Sequence, residues 1–299
     1  MVNIFINETL FLSGGIKVTS TMLKVVALVT MLIDHIWAFI PGTPYYFHWI
    51  GRISAPIFMF CCIIGYTNTK NKIKYISRLY VLSLVMGGIN AFLDIQYNFI
   101  RTLLIIIAII FIIEKFEEKD RNAKMALITF ILWQIVSSLI IMQLQYLGVS
   151  DKILIIMLPA LSNILMLDGG MFFVLMGVLM YIFRDSKKNL LISYILLTVL
   201  NMLIYNTKIL KVAFHILEKN IKIPFTLLSI LFESVFFGVL PAFMKTDLFY
   251  GDPQWMMIFA LPFILMYNGE KGRGLKYLFY VFYPVHIIIL YYLGIAFIK

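Results

Sequence analysis

MLKVVALVTMLIDHIWAFIP, Met22 to Pro41, is an apolar run that carries an acid and a histidine, Asp34 and His35, in its second half. About 20 consecutive apolar residues read as a transmembrane helix. An ionisable group at membrane depth is costly and marks a pathway or a reaction. One hairpin later, GRISAPIFMFC, Gly51 to Cys61, carries Arg52 into a second hydrophobic helix. Asp34 and His35 are adjacent, so their side chains leave the helix about 100° apart and serve different neighbours.

Composition extends this reading to the whole chain. Hydrophobic residues make up 62% of the 299 and charged residues 13%, against roughly 25% charged in a soluble domain. Mean hydropathy is +0.95. The apolar runs lack the alternation of barrel strands, so the expected fold is an all-α, polytopic membrane helix bundle. The spans fall near 22–41, 50–68, 74–95, 98–114, 124–146, 170–184, 188–206, 225–246, 253–268 and 275–298. That makes ten transmembrane helices, or eleven if KILIIMLPALSNILML, 152–167, also crosses; Pro159 and Asn163 weaken that segment. No repeat or long linker divides the chain, so 1–299 reads as one integral-membrane domain. Residues 1–21 lack the basic start, apolar core and small-residue site of a cleavable signal peptide.

The net charge of +10 belongs to membrane topology and anionic lipid heads, not to nucleic acid. Lys70, Lys72, Lys74 and Arg78 follow the second span, and Lys115, Lys119, Arg121 and Lys124 follow the fourth. Both loops are expected inside, which places the N-terminus in the cytoplasm and loop 42–49 outside. With ten spans, Lys208, Lys211, Lys219 and Lys222 fall outside together with Lys271, Arg273 and Lys276. With eleven, those groups change sides.

Several polar groups inside apolar runs need a reason. Histidine titrates near neutral pH and can take a proton from an amine or hydroxyl, so His35 is a candidate base. A guanidinium suits a phosphate or carboxylate, so Arg52 is a candidate anion contact, with Pro56 in or near the first turn of its helix. Asn90, Asp94, Asn98, Arg101, Thr102, Asp168, Glu233 and His286 are further polar groups, and Tyr283, Pro284 and His286 break the last span. Cys61 and Cys62 are adjacent on a helix and do not pair with each other. No metal-ligand spacing, P-loop, GxGxxG, HExxH or GxSxG context occurs.

Four stretches resemble the TraX family of membrane proteins. They are LKVVALVTMLIDHIWAF with IGRISAPIFMF (23–39 and 50–60), NFIRTLLIIIAIIFIIEK (98–115), LDGGMFFVLMGVLMYIFR (167–184), and QWMMIFALPFILMYNGEKGRGLKYLFYVFYPVHIIILYYL (254–293). The NGEKGRGLKY and FYPVH segments are the most specific. TraX proteins resemble in turn the wider transmembrane acyltransferases, which include the lysosomal heparan N-acetyltransferase and bacterial O-acyltransferases of surface glycans. The resemblance implies a membrane acyltransferase or acetyltransferase in the inner or plasma membrane of a bacterium. Acetyl-CoA or another acyl-CoA is the implied donor. The acceptor is an amine or hydroxyl on a pilin-like protein N-terminus, a glycan or a lipid, and no metal is implied. On this reading His35 is the base or acyl carrier, and Asp34 and Arg52 support it. His286 and Tyr283 close the site from the last helix, and Lys70, Lys72, Lys74 and Arg78 meet the nucleotide phosphates. The alternative is a transporter or flippase of a small polar solute that uses the same residues as a path.

Overall fold

The computed structural model describes residues 18–222, 224, 229, 252–273 and 276–298. Among them the regular structure is helical, with a single isolated parallel bridge, Val18 to Tyr267. In chain order the helices are α1 (Ser20–Phe39), α2 (Tyr46–Gly51), α3 (Ser54–Thr67), α4 (Lys72–Leu93), α5 (Phe99–Glu117), α6 (Ala123–Tyr146), α7 (Asp151–Ala160), α8 (Gly170–Ile182), α9 (Lys187–Asn206) and α10 (Ile209–Ile221). A 3₁₀ turn (Pro253–Ala260) then runs into α11 (Leu261–Leu265), and α12 is Lys276–Ile298.

Among the described residues six segments are long and apolar enough to cross a membrane: α1, Tyr46–Thr67 as one run, α4, α6, α9 and Leu278–Phe297 of α12. The ten spans expected from the sequence are not reached on this criterion. Helix α5 has 19 residues, but its charges, Arg101 at one end and Glu114, Lys115 and Glu117 at the other, set it apart. Helix α8 and the 253–265 segment are shorter. The expected span 225–246, with Glu233, lies outside the described residues.

Local chemistry explains the helix ends. Asn71 and Ser186 accept from the backbone N–H groups of Lys74 and Asn189, which caps α4 and α9. Pro56 falls in the first turn of α3, where a missing N–H costs no helical bond. The start of α1 is capped from afar: Ser20 N–H donates to Glu270 O, Thr21 N–H to Lys271 O, and the Thr21 hydroxyl to Arg273 O. The 266–273 loop thus straps the N-terminus of α1.

The central helix is α5, whose Ile105, Ile106, Ile107 and Ile110 are almost fully buried against α3, α4 and α8. Helices α1 and α12 run parallel. Gly294 lets them touch, because a Cβ there would strike the carbonyl of Phe39. Gly51 likewise leaves room for the side chain of Asp34. Small residues at such crossings let backbones approach in lipid.

Segment 152–167 does not cross. Helix α7 has 10 residues and ends beside Pro159, and the chain then returns as irregular backbone. Its turn lies level with the middle of α6, where Trp133 donates to Leu161 O. Gln134 bridges the same turn, donating to Ser162 O at 3.1 Å and accepting from Ile164 N–H at 2.8 Å. Asn163 donates to the Ser137 hydroxyl at 2.7 Å. Non-helical backbone at membrane depth survives only where protein satisfies it, and α6 supplies those partners.

One expectation is corrected. Although 152–167 does not cross, Lys271 and Arg273 share a cavity with Lys24 and Arg78. Asn206 donates to Asp252 O and accepts from Asp252 N–H, so the chain leaves and re-enters the bundle at one end. The last basic loop therefore sits at the end that the eleven-span reading gave it and not at the one the ten-span reading gave it, although 152–167 does not cross. Tyr66 and Lys72 both bond Glu114, and Tyr181 bonds Glu117. The basic junctions α3–α4, α5–α6, α8–α9 and α11–α12 therefore share one end.

Replacing Gln134 by Leu should strand Ser162 O and Ile164 N–H, at about 1–3 kcal/mol for each buried group. A thermal melt of the purified chain should shift down clearly, whereas Leu at the exposed neighbour Ile135 should leave it unchanged.

Candidate functional site

Helix α1 sends His35 and Asp34 in different directions, as their spacing requires. His35 points to α12, where its Nδ1 lies 2.6 Å from Nε2 of His286. The rings are nearly parallel, at 12°, with centroids 4.9 Å apart. Both histidines are about 95% buried.

The hydrogen bonds define the proton positions. His286 Nδ1 is 2.7 Å from the carbonyl oxygen of Phe282. A carbonyl only accepts, so this nitrogen carries the proton, and Nε2 of the neutral ring is an acceptor. His35 Nδ1 must then donate to it. His35 Nε2 is left with its lone pair available, the arrangement a general base or nucleophile requires. Tyr97 packs edge-on against His35, and Phe282 stacks on His286.

Asp34 faces α2 and α3. Its carboxylate accepts from Arg52 Nη2 and lies 2.7 Å from His48 Nδ1. The His48 ring stacks on Trp37, with centroids 4.1 Å apart. Asp34 and Arg52 thus neutralise each other and tie α1 to the next hairpin, beside the histidine pair and not within it. His48 was read only as part of an outside loop. The signal that marks it is its place on the aromatic turn before Arg52.

A cavity of about 370 Å³ opens at the basic end, within the usual range for ligand pockets. Lys271 and Arg273 stand exposed at its rim, and Lys24 and Arg78 are partly buried within it. None of the four has an ion-pair partner among the described residues. Deeper in, the lining turns apolar and aromatic, with Cys61, Cys62, Leu103, Phe99 and Tyr283. Neither histidine lines the cavity. Tyr283, which accepts from Phe99 N–H, stands at its deep end, with its ring centroid 5.8 Å from that of His286.

Of the expected donor contacts, only Arg78 lines this cavity. Lys72 is held by Glu114 and lies over the Tyr66 ring. Lys70 and Lys74 are exposed and stand away from the lining. Lys24, Lys271 and Arg273 take their places. The last two were visible in NGEKGRG, but the ten-span reading put them at the opposite end and the eleven-span reading at this one. Both cysteines are free thiols. Among the described residues no three His, Cys, Asp or Glu side chains gather as a metal site would need.

The family model described as "TraX protein" matches residues 19–294. Comparison with curated proteins and with solved structures found no match. The matched region runs from the cap of α1 through the histidine of α12, and on that near-complete coverage the chain belongs to the TraX family.

Proposed function

We propose that the protein is a membrane-embedded acyltransferase, most simply an acetyltransferase, that uses acyl-CoA as donor substrate. The observation that carries the reading is the cavity with two cations at its rim and two within it, none in an ion pair, and an apolar, aromatic floor one residue layer from a histidine pair. Clustered cations suit the phosphates of a nucleotide. The narrowing apolar interior suits the thin pantetheine arm and its acyl group. No metal is required by this chemistry.

The reaction follows from the hydrogen-bond pattern. An acceptor amine or hydroxyl loses its proton to His35 Nε2 as its lone pair attacks the thioester carbonyl. The carbon–sulfur bond breaks, and the departing CoA thiolate takes up the proton. His286, fixed by Phe282 O, accepts from His35 Nδ1 and holds the tautomer. Tyr283 moves aside, or its hydroxyl steadies the carbonyl oxygen. Asp34 and Arg52 act through position, holding α1 against α2 and α3. The acceptor belongs to a protein N-terminus, a glycan or a lipid. The basic end faces the cytoplasm, where CoA is made, so the N-terminus is cytoplasmic in a bacterial inner or plasma membrane.

Release of CoA thiol by the purified chain with acetyl-CoA and candidate acceptors tests this. His35→Ala should lower transfer by roughly a hundred- to ten-thousandfold with folded protein near normal. His286→Gln, whose amide oxygen can still accept from His35, should retain more activity than His286→Ala. Asp34→Asn should reduce folded protein and activity together. Full activity in His35→Ala removes it from the mechanism, and solute movement without CoA consumption would instead support the transporter reading.

Higher ionic strength should raise KM for acyl-CoA with little change in kcat, because exposed cations are screened. Arg78→Glu should do the same at low salt. A cysteine introduced at Asn71 should resist an impermeant thiol reagent in intact cells and react in inverted vesicles, and the reverse labelling would overturn the orientation.

A further inference from the structure

A second, smaller cavity of about 100 Å³ adjoins the first turn of α5. Phe99 and Ile100 line the larger cavity, and Asn98 and Arg101 line the smaller. Arg101 is 5% exposed. Its Nη2 donates to Met166 O, but its Nε and Nη1 are buried with no partner. A guanidinium cannot shed its charge to escape such burial. Across the cavity stands Asp168, whose carboxylate accepts from Asn98 N–H at 2.6 Å. It forms no ion pair with Arg101. The side-chain oxygens of Asn90 and Asn98 are also buried and unpartnered. Unmet donors and unmet acceptors therefore face one space.

That mixture selects the occupant. An anion would satisfy Arg101 but meet the carboxylates of Asp168 and, at the rim, Asp151. An ammonium would satisfy the acids but meet Arg101. A hydroxyl answers both, since its oxygen accepts from the guanidinium while its proton goes to an amide or carboxylate oxygen. The rest of the wall is apolar, with Ile141, Leu154, Ile155, Leu158, Pro159 and Met166, so the occupant presents C–H surface beside its hydroxyls, as a sugar ring does. Gln145 and Asp151 are exposed at the mouth, which leaves room for a larger molecule outside.

The position is as informative as the chemistry. Asn98 follows Tyr97, whose ring centroid is 5.2 Å from that of His35. Thr102, one turn on, donates to Asp168 O. The small cavity thus adjoins the backbone that packs against the base, on the Asp168 side of α5 and apart from the cation-lined cavity.

We propose that this cavity is the acceptor subsite and takes a neutral, hydroxyl-rich group no larger than one sugar ring, with Arg101 as its anchor. The assignment to an acceptor rests on the acyl-transfer reading above, whereas the binding chemistry stands on the cavity alone.

Titration calorimetry of the full chain in nanodiscs, with methyl glucoside, glucuronate and glycine as separate probes and acetyl-CoA in parallel, tests it. Methyl glucoside should bind saturably and in preference to the other two. Arg101→Gln should weaken it roughly ten- to a hundredfold. Gln145→Ala, at an exposed rim position that does not threaten folding, should weaken it more mildly and decides the matter if Arg101→Gln fails to fold. Preference for glucuronate or glycine, or no saturable heat from methyl glucoside up to its solubility limit, overturns the subsite. If acetyl-CoA binds and turns over while methyl glucoside fails, only this inference falls. If methyl glucoside binds while acetyl-CoA neither binds nor reacts, the hydroxyl site stands and the transfer reading falls.

Discussion

Lipid offers no hydrogen bonds, so each backbone amide and each charge at membrane depth must find its partner in the protein. The bundle is organised around that constraint. Helices satisfy most of their own backbone, and the exceptions are where it becomes distinctive. The return segment after α7 borrows the side chains of Trp133, Gln134 and Ser137. The N-terminus of α1 borrows carbonyls from a loop some 250 residues away in sequence. Asp34 exists at depth because Arg52 and His48 meet it there.

Against that background, the groups left without partners stand out. Among the described residues the four cations around the large cavity have no ion-pair partner, and two nitrogens of Arg101 and the side-chain oxygens of Asn90 and Asn98 are buried around the small one without a hydrogen bond. Unmet polar groups in a dry interior cost free energy, and a fold tolerates them where a ligand completes them. The two cavities differ in kind. One combines surplus positive charge with an apolar floor. The other balances opposite charges around free amide oxygens. The first turn of α5 stands between them, and the histidine pair lies close to both through Tyr283 and Tyr97.

Much of this was legible in the chain. An acid and a histidine in an otherwise apolar run marked α1 as the helix that carries the candidate site, and their angular separation showed that they would not share a partner. The pairing of His35 with His286, 251 positions later, was not legible from spacing; only the family resemblance brought the two together. Segment 152–167 defeated hydropathy because a half-helix that turns back has the same apolar composition as one that crosses. The side chains that betray the turn, Trp133 and Gln134, belong to a different helix. The side of Lys271 and Arg273 stayed open between the ten- and eleven-span readings, since one crossing more or less inverts everything after it. Arg101 stood out only as one of several polar groups in an apolar run, because its unpaired state is a property of three-dimensional packing.

The clustering of basic junctions at one end has a consequence for quality control in the cell. Lys and Arg next to spans are what the insertion machinery reads to orient a membrane protein. Lys24, Arg78, Lys271 and Arg273 belong to that signal, and they also form the entrance to the larger cavity. The residues that signal orientation are therefore also the ones that line the mouth and walls of the larger cavity. On the acyl-transfer reading proposed above, a copy inserted upside down would present its entrance to a compartment without nucleotide thioesters. On that reading such a copy would be inert, so an error of insertion would be silent.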